Sequence, residues 1–206
     1  MPKRTDISKI LIIGSGLIAM QCLAQKANTS TIAISIELKH RTDPERQTKE
    51  QLEHLLSVYD LHKYTLTNSV IIDERSIPHS HPVLTLHTRH LCSDDQLLST
   101  YVHEQLHWYL EEHKQQTDAA ENDLRKIYPK VPVGYPDGSN DEEGTFLHLI
   151  DCYLEMQADR ELMGTERASS VMDFWVGDHY RWIYKTVMQD ESTIRKVIEQ
   201  RNLELK

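Results

Sequence analysis

The chain has little of what would mark it as a specialised binder of nucleic acid or lipid. Its 206 residues carry 23 Lys and Arg against 32 Asp and Glu, a formal charge of −9. Nucleic acid and anionic membrane both reward a basic surface, so neither is expected as the main partner. No run of like charge forms a tail, and there is no internal repeat or low-complexity segment. The apolar run 10–20 is too short for a comfortable transmembrane span. Cysteine is scarce: Cys22, Cys92 and Cys152 are the three present. What remains is the composition of an ordinary globular protein, 39% hydrophobic and 27% charged, long enough for one well-buried domain.

Two readings compete for the N-terminus. Lys3, Arg4 and Lys9 precede the apolar run, and Gln21-Cys22-Leu23-Ala24 follows it. A basic flank, a short apolar core and a small residue match a secretory signal peptide covering 1–24, cleaved after Ala24. The remainder, 25–206, is then one exported domain, periplasmic or extracellular. An uncleaved segment would instead act as a membrane anchor through residues 10–24. Met20 and Gln21 are poor neighbours for a lipid-modified Cys22. The rival takes Gly14-Ser15-Gly16-Leu17-Ile18-Ala19 as a GxGxxA dinucleotide fingerprint, with Glu37 as the ribose ligand. That fold needs further alternating strands and helices, and nothing after residue 45 supplies them.

The rest of the chain reads as α+β. Alternation suits a strand at 31–38, and Asp43-Pro44-Glu45 starts a helix with Asp43 as N-cap and Leu52, Leu55, Leu56 and Tyr59 on one face. Strands follow at 64–73 and 82–88, giving a small twisted sheet with a helix on it. Ser93-Asp94-Asp95-Gln96 is a capping box that starts a helix running to about residue 114. Residues 117–144 are rich in Pro and Gly and read as a long loop, either a cover over the site or a plain surface excursion, after a short helix at 122–128. A second long helix spans 145–163 and stops at Gly164. The aromatic segment 174–184 and a C-terminal helix with Ile194, Val197 and Ile198 complete a mostly helical second half.

His103-Glu104-Gln105-Leu106-His107 within the 94–114 helix is the pattern HExxH. On a helix the two histidines lie one turn apart on one face, within reach of one divalent cation. Glu104 then stands beside the ion, placed to take a proton from an activated water. Leu98, Val102, Leu106 and Tyr109 form the core stripe of this helix, and Thr100, His103 and His107 form its neighbour. Catalytic zinc usually takes a third protein ligand, for which Glu155 and His148 are the candidates. They share a stripe of the 145–163 helix with Cys152 and Asp159. His40, His54, His62, His79, His81, His87, His90 and His113 show no common spacing and read as surface or loop residues.

With HExxH at 103–107 and a downstream ExxxD at 155–159, the chain resembles the zincin metallopeptidases of the gluzincin type. The resemblance implies a zincin-like fold, a zinc cofactor and a peptide or protein substrate. It puts His103, His107 and Glu155 on the metal. Asp159 and His148 are left in supporting positions, Asp159 hydrogen-bonding one of the histidines, His103 by preference. Glu104 is the implied general base, and His179 or Tyr180, with Tyr184 behind, the donor to the developing oxyanion. By the same resemblance the 82–88 strand is the edge along which an extended peptide adds. If the chain is exported, Cys92 and Cys152 are expected to form a disulfide joining the two ligand helices. A non-catalytic metal-binding protein is the alternative reading of the same groups.

Overall fold

The computed structural model describes residues 33–205. The signal-peptide, membrane-anchor and GxGxxA readings therefore lie outside the described residues. Among the described residues no helix is long and apolar enough to cross a membrane.

The fold is α+β, a three-stranded sheet followed by a helical body. Strand β1 (Ser35–Leu38) leads into helix α1 (Asp43–Val58), which returns the chain to β2 (Ser69–Ile72) parallel to β1. The side chain of Thr42, not Asp43, accepts from the Glu45 N–H and caps α1; Asp43 and Glu45 instead place negative charge in its first turn. Strand β3 (Leu84–Leu86) pairs with β2, again parallel. Each strand is shorter than its sequence pattern suggested, and Tyr64 belongs to a separate turn of 3-10 helix, His62–Tyr64.

The free side of β3 is already occupied. Thr85 is the residue of β3 whose backbone faces away from β2, and it exchanges both hydrogen bonds with His79 in an antiparallel bridge, at 2.8 and 3.1 Å. The edge expected to receive an extended peptide is therefore closed at that point.

Helix α2 (Asp94–Glu112) begins at Ser93, whose hydroxyl accepts from the Gln96 N–H. The Gln96 side chain does not complete a reciprocal box; it goes to His90. Leu98, Val102, Leu106 and Tyr109 are buried as the core stripe. Gln105, fully buried, anchors the helix to the segment before β2. Its amide oxygen accepts from the N–H groups of Leu66 and Thr67, and its amide nitrogen donates to the Thr67 carbonyl.

Where a long loop was expected, α3 (Lys114–Ile127) forms, and a shorter loop, 128–141, follows it. Helix α4 (Glu142–Met163) is capped by Asp141 and closed by Gly164, whose φ of 85° lies in the region that favours glycine. It is the hub of the molecule, packed against α2 and α3 and against α5 (Thr165–Asp178), α6 (Arg181–Gln189) and α7 (Glu191–Arg201). A helix enclosed in this way buries nearly all its faces, which is why its polar residues lie inside the protein. Cys92 is exposed and Cys152 is buried on α4, both as free thiols, so the expected disulfide is not formed.

Candidate metal and catalytic site

Helices α2 and α4 meet through their polar stripes and run antiparallel. Asp151 lies against His107 and His103, Glu155 against His103, and further along, Ser99 against Glu155. This register decides which turn of α4 faces the HExxH pair.

The turn that faces it holds His148 and Asp151. One donor atom from each of His103, His107, His148 and Asp151 falls within 4.8 Å of the others. The rings of His103, His107 and His148 lie 5.1–5.6 Å apart, centre to centre. Two of them already have a fixed tautomer. His148 Nδ1 donates to the Gly144 carbonyl at 2.6 Å, and His103 Nδ1 donates to Glu155 Oε2 at 3.0 Å. In each ring the bond occupies Nδ1, so that Nε2 offers a lone pair whenever the ring is neutral, the arrangement typical of metal-ligating imidazoles.

Glu155, expected on the metal, forms a second group with His103 and Cys152 whose donor atoms lie within 4.8 Å of one another, and it is already hydrogen-bonded. Its carboxylate accepts from Ser99 at 2.6 Å, from Tyr184 at 2.9 Å and from His103, while Trp175 donates to the Ser99 hydroxyl. Its hydrogen-bonding capacity is thus taken up behind His103. Asp151, fully buried, is the reverse: neither carboxylate oxygen has a hydrogen-bond partner, although Oδ2 lies 3.0 Å from His103 Nδ1 and 3.5 Å from His107 Nε2. A buried carboxylate needs a cation; the His103 ring beside Asp151 is one while it is protonated, and a metal ion would take that proton's place. Four donors of imidazole and carboxylate type with one oxygen pair left open fit a divalent transition metal.

Asp159 sits one turn too far along α4 to reach His103, and its two oxygens are also buried without a partner. Burial and the nearby Glu155 hold its carboxyl well above the usual range, so it is a neutral acid within the core. Cys152, beside His103 and Glu155, has its thiol pushed up to about 12, mainly by burial, and stays protonated. A third cluster, His40, Glu45 and Asp73, is a surface turn clamp. Glu45 accepts the N–H groups of His40 and Glu74, and Asp73 accepts from the Arg75 N–H and contacts the His40 ring.

A cavity of about 410 Å³ opens over the cluster. The three imidazoles and Glu104 line it, and Asp151 does not. Glu104 is 5% exposed and makes no hydrogen bond among the described residues; burial raises its carboxyl to about 7. Burial would lower His103, but Asp151 and Glu155 outweigh it and hold the ring well above its ordinary value. Burial, helped by the other two rings, takes His148 down to about 3.

His179 and Tyr180 also line the cavity. Tyr180 has a left-handed backbone, φ 48° and ψ 38°, costly for a bulky residue and characteristic of sites held by their surroundings. Its ring packs on His148 at 4.3 Å and on His179 at 4.8 Å. His179 Nδ1 contacts Asp178 at 2.8 Å, and Asp178 is paired with Arg89 at 2.6 Å. The loop 128–141 closes the opposite wall through Tyr135, Ser139 and Asn140.

Asp151 was missed by sequence reading, although it lies three residues after His148 on the same helical stripe. Arg89 and Asp178 carried no signal. His87 and His90, read as surface or loop residues, lie in the loop after β3 but are buried in the cavity wall, and burial takes both down to about 4.

Comparison with known proteins finds no matching family model, no similar curated protein and no similar solved structure.

Proposed function

We propose that the protein is a metal-dependent hydrolase of zincin-like chemistry, cleaving amide bonds of peptides. The observation that carries this reading is the convergence of three cavity-facing imidazoles on a buried carboxylate without hydrogen bonds, with Glu104 beside them. In this reading His103, His107 and His148 hold the ion, zinc in the first instance. Asp151 closes the cluster from behind, and the cavity side stays open to substrate. Glu155 is reassigned from ligand to the group that fixes the His103 tautomer.

The ion supplies Lewis acidity, making water more acidic and polarising a carbonyl. Glu104 takes the proton of the attacking water and returns it to the leaving nitrogen. His179, held by Asp178 and Arg89, and Tyr180 line the same cavity and donate to the oxygen on which charge develops. Export rests on the signal-like residues 1–24, and N-terminal sequencing of mature protein beginning at Gln25 would support it.

The test pairs metal analysis with hydrolysis of a peptide library. Glu104→Gln is expected to keep stoichiometric metal and lose hydrolysis by at least 100-fold. His148→Ala is expected to lose the metal. Metal retained in His148→Ala would refute the ligand set.

The fourth donor favours one other reading. If Asp151 coordinates together with all three imidazoles, a tetrahedral ion has no open position, as in structural sites, and the protein binds metal without catalysis. Absence of hydrolysis in wild type holding full metal would support it.

A further inference from the structure

We infer that the cavity takes a compact peptide substrate entering end-on, of about two residues, and not a segment of extended protein chain laid along the sheet. This rests on the hydrolase reading above and concerns how its substrate approaches.

Three features of the fold lead there. The first is the closed edge. Addition of an extended peptide requires outward-facing N–H and C=O groups on the edge strand. Strand β3 is three residues long, and both outward groups of Thr85 are bonded to His79. Strand addition would have to break both bonds.

The second is the tethering of the opposite wall. The first free N–H groups of α6 donate to the 128–141 loop, Arg181 to the Pro136 carbonyl at 2.9 Å and Trp182 to the Asp137 carbonyl at 3.2 Å. Within the loop Gly134 donates to Ser139, and the Ser139 N–H donates to the Thr145 hydroxyl. A helix start left without partners is costly, so α6 holds this loop down. The wall therefore has no spare length to swing away and expose a through-running groove.

The third is size. About 410 Å³ lies at the low end of the range for small-molecule pockets, roughly 300–1,000 Å³, in which most of the ligand surface is enclosed. Ile77 and Tyr135, about 80% exposed, are cavity residues that also reach solvent. They give the mouth an apolar lip suited to the last side chain of a short substrate.

The test uses zinc-loaded Glu104→Gln protein and phosphinic peptides, whose tetrahedral group mimics the attacked carbonyl. Probes of two, four and eight residues, extended on both sides of that group, are titrated by calorimetry. The two-residue probe is expected to bind tightest and the eight-residue probe at least tenfold more weakly. Affinity that rises with length would overturn the inference and leave the hydrolase reading intact. Failure of every probe to bind zinc-loaded protein would overturn both. Wild-type hydrolysis of the matching two- and eight-residue peptides provides a second readout, expected in the same order.

Discussion

Glu155 receives hydrogen bonds from Ser99, Tyr184 and the His103 ring, while Asp151, one turn away on α4, receives none. Two carboxylates of similar burial are thus prepared for different partners, one for protons and one for a cation. Removing the Glu155 charge should loosen the hold on His103 without deleting a ligand. Glu155→Gln is expected to weaken zinc binding by about 10–100-fold, the usual effect of losing a group that supports a ligating histidine. A competing chelator titration measures it; an unchanged affinity would contradict the role. Tyr184→Phe leaves that carboxylate one donor short and should cost about 1–3 kcal/mol in urea unfolding, the penalty for an unmade buried bond. The sequence showed which helix carried these acids and which face they shared. It did not show which turn would meet the histidines, because that depends on how far α4 slides along α2 as their cores pack.

At the scale of elements, α2 was legible because two independent signals agree, a capping serine and two parallel stripes. Gln105 in the middle of HExxH carried no such signal, yet its side chain makes three bonds to the backbone at Leu66 and Thr67. Gln105→Ala should destabilise the protein by about 2–4 kcal/mol, since it orphans three half-buried backbone groups at once. Chemical denaturation is the check. Helix α3 was illegible for the opposite reason: its buried face is Thr117, Ala120, Glu121 and Leu124, with only one large apolar residue. Glu121 has its carboxyl raised from 4.5 to about 7, chiefly by burial and then by Glu143, against the pull of Arg125. Below pH 4.5 the group is protonated in folded and unfolded chains alike. Between there and about 7 the unfolded chain releases its proton first, so the native state loses stability as pH rises. Glu121→Gln should therefore raise the unfolding free energy at pH 8 by about 1–2 kcal/mol and leave it nearly unchanged at pH 4.5. A larger gain at the acidic end would reverse the sign and exclude this account.

Across the whole molecule the sheet and the helical body divide the labour. The α1 crossover and the three short strands present the cavity wall before β3 and back the HExxH helix, and the helical half supplies the remaining donors. That division was visible in the sequence as strands before residue 90 and helices after it. The cavity itself was not, because its wall joins residues as distant as His87, Tyr135 and His179 through packing alone. Since α2 and α4 belong to one core, a cation bridging them should stabilise the entire fold. At a hundredfold excess over its Kd, zinc is expected to add about 2.7 kcal/mol, seen as a rise of several degrees in Tm over protein treated with a chelator. His148→Ala should show no such rise.

Four helices besides α2 leave α4 no direction in which to yield, and the consequence is selectivity by gauge. His148 and Asp151 stand at a separation set by the fold before any ion arrives, so an ion of the wrong radius cannot draw the donors inward to suit itself. Metals should be ranked by how well they match a fixed frame. A series of divalent ions of graded size should give a narrow affinity maximum, with the backbone superimposing in the bare and the occupied protein.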